Sequence, residues 1–173
     1  MDIQKFEELE QELGTTLTIG MLNWYAISSS YHSLKEDFIR KYKDCVLWEE
    51  ISKFQELSED FIREFQHKVD WKAISEYQEL SEDFIREFQK KVNWNCISYY
   101  QKLSEDFIRE FQHKVDWKCI STYQKLSENF IKEFENKIWL KYVLENENIS
   151  SELKKNISSK LKKSIKEIIF ESE

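Results

Sequence analysis

The sequence contains no proline and only two glycines, Gly14 and Gly20, in 173 residues. Tight β-hairpins draw on those turn residues, so a chain this poor in them is not expected to build sheets. With glycine confined to two positions, no phosphate-cradling loop of the P-loop or dinucleotide-binding kind can be written. Cysteine is sparse and odd in number, Cys45, Cys96 and Cys119, with no CxxC pair, which argues against a disulfide framework and a zinc site and points to reduced thiols. No apolar run approaches the roughly 20 residues that span a bilayer. The opening MDIQKFEELEQEL is acidic and lacks the basic-then-apolar order of a secretory signal, so a cytoplasmic protein is expected. Cationic excess is missing as well. The formal charge of -7 disfavours direct, sequence-independent nucleic-acid binding and an acidic partner, and allows a basic one. Negative charge is concentrated early, residues 1–56 summing to -5 and 57–79 to -3, while 80–102 sum to +1.

What the chain has in abundance is aromatic residues, 15%, and charged residues, 34%, the profile of a folded helical protein. These residues recur. Residues 57–79 read LSEDFIREFQHKVDWKAISEYQE, residues 80–102 LSEDFIREFQKKVNWNCISYYQK and residues 103–125 LSEDFIREFQHKVDWKCISTYQK. Phe38, Phe61, Phe84, Phe107 and Phe130 fall at the 23-residue period, as do Trp48, Trp71, Trp94 and Trp117, whereas Trp24 and Trp139 are each displaced by one. Degenerate outer copies are usual at the ends of a stack.

Within a copy, Ser58 followed by Glu59 and Asp60 forms an N-cap with an acidic first turn, predicting a helix A over about Glu59–Lys68. Phe61, Ile62, Phe65 and Val69 lie on an arc of roughly 100° at helical spacing. Asp70 offers a second N-cap, predicting a helix B from about Trp71 to Gln78 that buries Trp71, Ile74 and Ser75, with Gln78 hydrogen-bonded at its boundary. A pair this short cannot bury its apolar face alone. Stacking successive pairs gives one core, and the expected fold is all-α: a short α-solenoid of tandem helix-turn-helix pairs, roughly 50 Å long at helix spacings of about 8–10 Å, with N- and C-terminal capping helices. The expected organisation is a single domain with a capping segment over 1–23, repeats over 24–142 and an amphipathic helix over 143–173. Phe6, Leu9 and Leu13 stand at helical spacing in the first segment. In the last, NISSELKK and NISSKLKK place Ile149, Leu153, Ile157, Leu161, Ile165 and Ile169 every four residues among lysines, as a cap or as a membrane-surface or separate partner helix.

The unit LSEDFIREFQxKVDWxxISxYQ, over about residues 24–142, resembles tandem repeats of uncharacterised giant-virus and mobile-element proteins. The likeness is carried by the DFIREF and KVDW or KVNW cores. It implies a helical array of viral or mobile-element origin and brings no activity or active site with it.

Enzyme chemistry finds little foothold. His67 and His113 occupy one repeat position on the polar arc of helix A, without HExxH or any close ligand pair, and read as surface residues. Cys96 and Cys119 replace Ala73, a small-residue site. Recurring carboxylates share one solvated environment and lack the contrast that separates an acid from a base. No cofactor is expected.

The copies differ most on helix B. Six positions change between 57–79 and 80–102, and four lie on one arc of that helix, whereas Glu59, Asp60, Arg63, Glu64 and Gln66 stay constant through the next two copies. A variable face on a constant frame is how repeat proteins recognise partners. Lys53, Lys72, Glu76, Glu79, Asn95, Tyr99, Lys102, Lys118, Thr122 and Lys125 are therefore the candidate partner-binding residues, with Tyr99 the aromatic anchor type. The other candidate is the acidic row of helix A, Glu59, Asp60, Glu64, Glu82, Asp83 and Glu87, which could imitate a phosphate backbone, although Arg63 and Arg86 lie among the carboxylates. The expected function is a non-enzymatic, monomeric adaptor or inhibitor that binds a host protein, possessing no membrane span. The alternatives are an acidic nucleic-acid mimic acting on a nuclease or defence effector, and a self-assembling structural array.

Overall fold

Helices of six or seven residues are unstable alone, because nucleation outweighs the few hydrogen bonds gained. The protein is nevertheless all-helical among the described residues, with no strand, and its helices take their stability from caps and from neighbouring copies. A computed structural model of the chain describes Gln11, residues 24–30 and residues 34–159. The expected helix over Ile3–Leu13 and the positions Leu161, Ile165 and Ile169 lie outside the described residues.

The chain divides into two compact units, Met1–Leu80 and Ser81–Glu173. In unit 1 the helices are α1 (Trp24–Ser30), α2 (Glu36–Lys41), α3 (Trp48–Phe54), α4 (Glu59–Glu64) and α5 (Trp71–Tyr77). In unit 2 they are α6 (Glu82–Glu87), α7 (Trp94–Tyr100), α8 (Glu105–Glu110), α9 (Trp117–Tyr123), α10 (Glu128–Glu133) and α11 (Leu140–Glu145). Odd-numbered members of unit 1, together with α7, α9 and α11, are B helices. The rest are A helices. In each unit B helices stack on one another, α1 on α3 on α5 and α7 on α9 on α11, which is the packing of a short α-solenoid.

Caps set where each helix begins. The Ser58, Ser81, Ser104 and Ser127 hydroxyls accept from the backbone N–H of Phe61, Phe84, Phe107 and Phe130. Asp70 and Asp116 accept from Ala73 and Cys119, and Asn93 from Asn95 and Cys96. Each such cap contributes about 1 kcal/mol. The degenerate outer copies lack them, since α2 starts behind Lys35, α3 behind Leu47 and α11 behind Trp139 with no side-chain cap.

Helix A ends earlier than the sequence predicts, at Glu64 rather than near Lys68. Phe65 already leaves helical geometry, and the chain turns through Lys68 N–H and Val69 N–H, both donating to the Phe65 carbonyl. The carbonyls released there find side-chain partners. The Trp71 indole N–H donates to Gln66 O at 3.0 Å and the Gln66 amide to Arg63 O at 3.2 Å.

The fully buried core includes Ile39, Ile51, Phe61, Ile62 and Ile74 in unit 1 and Phe84, Ile85, Ile97, Phe107, Ile108, Ile120, Phe130 and Val143 in unit 2. Three tryptophans pack forward onto the next copy of their own unit. Trp48 stands 4.9 Å from Phe65, Trp94 4.9 Å from Phe111 and Trp117 4.9 Å from Phe134, ring centre to ring centre.

A buried glutamine joins successive B helices. Gln78 donates to the carbonyls of Ser52 and Gln55 and accepts from Leu57 N–H, and Gln124 makes the same three bonds to Ser98, Gln101 and Leu103. At the last described copy the shorter Asn146 reaches Ser121 O and Gln124 O. A serine adds a second link. Ser52 Oγ accepts from Asp70 N–H, Ser98 Oγ from Asp116 N–H and Ser121 Oγ from Trp139 N–H. Residues 151–159 are helical and bury Ile157, with Ile149 buried just before them.

Candidate protein-binding surface

The helix A carboxylates are held within the array. In unit 2, Arg86 pairs with Asp83 at 2.8 Å and Glu82 at 3.6 Å in its own copy, reaches Glu110 of the next at 2.8 Å, and lies 5.1 Å above the Phe107 ring. Arg109 repeats this with Asp106, Glu105, Glu133 and Phe130. In unit 1, Arg40 joins Asp37, Glu36 and Glu64 over Phe61. Hydrogen bonds donated to Glu64, Glu110 and Glu133, first among the causes, raise the Arg40, Arg86 and Arg109 pKa above their ordinary values. Glu36, Glu82 and Glu105 also accept from the backbone N–H of Ser58, Ser104 and Ser127.

These bonds give a physical reason for the constancy of helix A, because changing one member breaks contacts in two copies. Of the candidate acidic row, Glu59 and Asp60 pair with Arg63, Glu64 with Arg40, and Glu82 and Asp83 with Arg86, while Glu87 is exposed at the position equivalent to Glu64. Guanidinium groups interleaved at this spacing cancel much of the field that a phosphate mimic needs.

The B helices carry the other candidate set. Lys53, Lys72, Glu79, Asn95, Tyr99, Lys102, Lys118 and Lys125 are exposed, and Glu76 and Thr122 are half-buried. Cys96 and Ala73, from the same arc, are buried, and Cys119 is half-buried.

Beside this variable arc lies a set of residues that comparison of the copies passed over. The last residue of the B helix is aromatic and exposed in Phe54 and Tyr77 of unit 1 and in Tyr100 and Tyr123 of unit 2. Reading for differences hides it, since three of the four are tyrosine. The available signal was an aromatic at constant spacing off the arc of Trp71, Ile74, Ser75 and Gln78.

The two sets meet. In unit 1 the Lys53 ammonium lies 5.1 Å from the Phe54 ring centre and 5.7 Å from that of Tyr77 in the next copy. In unit 2, Tyr99 takes the place of Lys53, its ring centre 4.3 Å from that of Tyr100 and 4.0 Å from that of Tyr123. Tyr99 is 41% exposed, Tyr100 50% and Tyr123 39%, so the three form a surface aromatic cluster. The hydrogen bond with Tyr99, ahead of burial, pushes the Tyr123 hydroxyl up to about 12. Further along unit 2, Lys118 lies 5.2 Å from the Tyr142 ring centre, and Tyr142 is 5.8 Å from Trp139, itself 54% exposed.

Burial, followed by the Asp116 carboxylate, pushes the Cys119 thiol up to about 11, away from the thiolate a nucleophile requires. His67 and His113 are exposed, and among the described residues no three His, Cys, Asp or Glu side chains cluster as metal ligands. Among those residues, too, no helix is long and apolar enough to cross a membrane.

Fold and surface together define the class: an all-α tandem-repeat protein whose A helices bind copy to copy and whose B helices face outward with aromatic and charged side chains. Compared with known proteins, the chain matches no family model, no curated protein and no solved structure.

Proposed function

We propose that the protein is a non-enzymatic binding protein that recognises another polypeptide through the exposed face of its B helices. One observation carries this reading: the aromatic at the end of helix B, exposed in Phe54, Tyr77, Tyr100 and Tyr123. Between the copies at 48–56 and 71–79, positions 49, 50 and 53 have all changed character relative to 72, 73 and 76. Position 54 has changed as well, yet Phe54 and Tyr77 are both aromatic. Solvation alone gives no reason to keep a large ring there. Partner contact does, because aromatic side chains supply much of the energy at protein interfaces and clustered exposed apolar surface marks binding sites.

The repeat resemblance adds the setting: an adaptor or inhibitor of a host protein, acting as a monomer in the host cytoplasm. The acidic-mimic reading draws less support, given the pairing of the helix A carboxylates.

A peptide-display selection on the full chain tests the proposal, using the Tyr100→Arg, Thr122→Arg double variant for counter-selection. Tyr100 is exposed and Thr122 half-buried, and urea unfolding of the variant within about 1 kcal/mol of the wild type checks that the fold is kept. Peptides that bind the wild type and lose the variant are the expected result. A selection yielding no peptide that discriminates the two overturns the reading.

A further inference from the structure

The two units present B faces of opposite electrostatic character. In unit 1, helices α3 and α5 with the two residues after each carry Glu49, Glu50, Glu56, Glu76 and Glu79 against Lys53 and Lys72. In unit 2, helices α7 and α9 with the two residues after each carry Lys102, Lys118 and Lys125 and no carboxylate, and α11 with the two residues after it adds Lys141, Glu145 and Glu147, which leaves the lysines in excess. Lys102 and Lys125 stand where Glu56 and Glu79 stand in the earlier copies, so the sign has reversed at one repeat position. Lys102, Lys118 and Lys125 are all exposed. None appears in the ion pairs that hold the A helices together, which are made by Arg40, Arg63, Arg86, Arg109 and Lys132 with the carboxylates beside them. The reversal coincides with the tyrosine cluster, because Tyr99 enters in the copy where the carboxylates leave.

We infer that the B face of unit 2 is the docking site for an acidic polypeptide segment of the partner, with carboxylates set against Lys102, Lys118 and Lys125 and intervening apolar side chains against Tyr99, Tyr100 and Tyr123. This rests on the polypeptide-binding reading above and adds the chemistry of the partner. Charge complementarity raises association rate and selects among partners, and the exposed rings supply apolar area that outlasts salt. A single-stranded nucleic acid would meet the same lysines and rings. The chain as a whole, however, is at -7, and a long polyanion is repelled by carboxylates that a short segment confined to α7 and α9 avoids. The acidic B face of unit 1 makes a second copy of this chain the remaining occupant to exclude.

The test uses the full chain and a labelled peptide of about twelve residues alternating Glu and Leu, followed by fluorescence anisotropy. Its controls are the same peptide with Lys for Glu and oligothymidylate of equal length. The Glu-Leu peptide is expected to bind more tightly than both. Lys102→Glu, Lys118→Glu, Lys125→Glu together should weaken it by at least about tenfold, mainly by slowing association at low salt. Tyr99→Ala alone should weaken it with little change in salt dependence, which keeps the test informative should the triple reversal perturb folding. Equal binding of the Glu-Leu and Lys-Leu peptides, or tighter binding of oligothymidylate, overturns the inference. Light scattering that shows self-association abolished by the triple reversal overturns it in favour of a second copy. If the selected peptides require the Tyr100 and Thr122 face but carry no excess of carboxylates, the inference about partner chemistry fails while the proposed function stands; if no face-dependent peptide emerges, the proposed function itself fails.

Discussion

Replacing Gln124 with leucine should cost more stability than removing any exposed tyrosine, because one side chain satisfies three buried backbone groups. Its amide donates to Ser98 O at 3.1 Å and Gln101 O at 2.8 Å, and its carbonyl accepts from Leu103 N–H at 3.0 Å, with the residue 4% exposed. Leaving a buried polar group unpaired costs about 1–3 kcal/mol. At about 1.5–2 kcal/mol for each of the three groups, less about 1.5–2 kcal/mol from the apolar replacement, the loss is about 3–4 kcal/mol. Against a total of about 5–15 kcal/mol that is a large fraction. With an m-value of about 2 kcal/mol/M in urea, the midpoint of helix loss followed by circular dichroism should fall by about 1.5–2 M. The Leu103 amide, which donates to Gln124, should lose its protection from hydrogen exchange. A midpoint shift below about 0.3 M, or an unchanged exchange rate at Leu103, would refute the idea that the buried amide joins the B helices.

Three other outcomes follow from the side-chain chemistry. Tyr99→Phe removes the hydrogen bond that pushes the Tyr123 hydroxyl up to about 12, so its ultraviolet titration midpoint should drop towards the ordinary value; no movement would refute the bond. Because the folded pKa is raised, this interaction stabilises fully below the ordinary tyrosine pKa and is lost as pH rises through about 12. A thiol reagent near neutral pH should modify the exposed Cys45 well before Cys119, whose pKa lies near 11, and Asp116→Asn should speed Cys119; equal rates at Cys45 and Cys119 contradict the assignment. In a double-mutant cycle, Arg86 and Glu110 should show coupling that shrinks at high salt, as expected for an exposed pair, and salt-independent coupling would argue against it.

The helix pairs were legible in the sequence because local signals agree. Ser58 and Asp70 cap where they were expected to, and the apolar spacing of Phe61, Ile62 and Ile74 marks what is buried. The end of helix A was not legible. Its terminator is neither glycine nor proline but the indole of Trp71, five residues beyond the carbonyl it satisfies. Gln78 was readable as a boundary hydrogen-bonder, yet its reach to Ser52 and Gln55 of the preceding copy needed the structure. Ser75 suggested only a small residue, whereas its equivalent Ser52 is also an acceptor for the next copy. At the surface, the variable arc was visible as differences between copies, and the aromatic positions beside it were hidden by their constancy. The invariance of Arg86 and its carboxylates has a structural cause in the bonds between copies, which no single-copy reading contains.

The central claim is that B helices, and not A helices, meet the partner. It is tested most directly by calorimetry of one selected peptide against two variants of the full chain. Tyr99→Ala with Tyr123→Ala removes rings from the B face, and Asp83→Ala with Asp106→Ala removes exposed carboxylates from the A helices. The account predicts at least about a tenfold loss of affinity, roughly 1.4 kcal/mol, for the tyrosine variant and an unchanged affinity for the aspartate variant. The opposite pattern would contradict it.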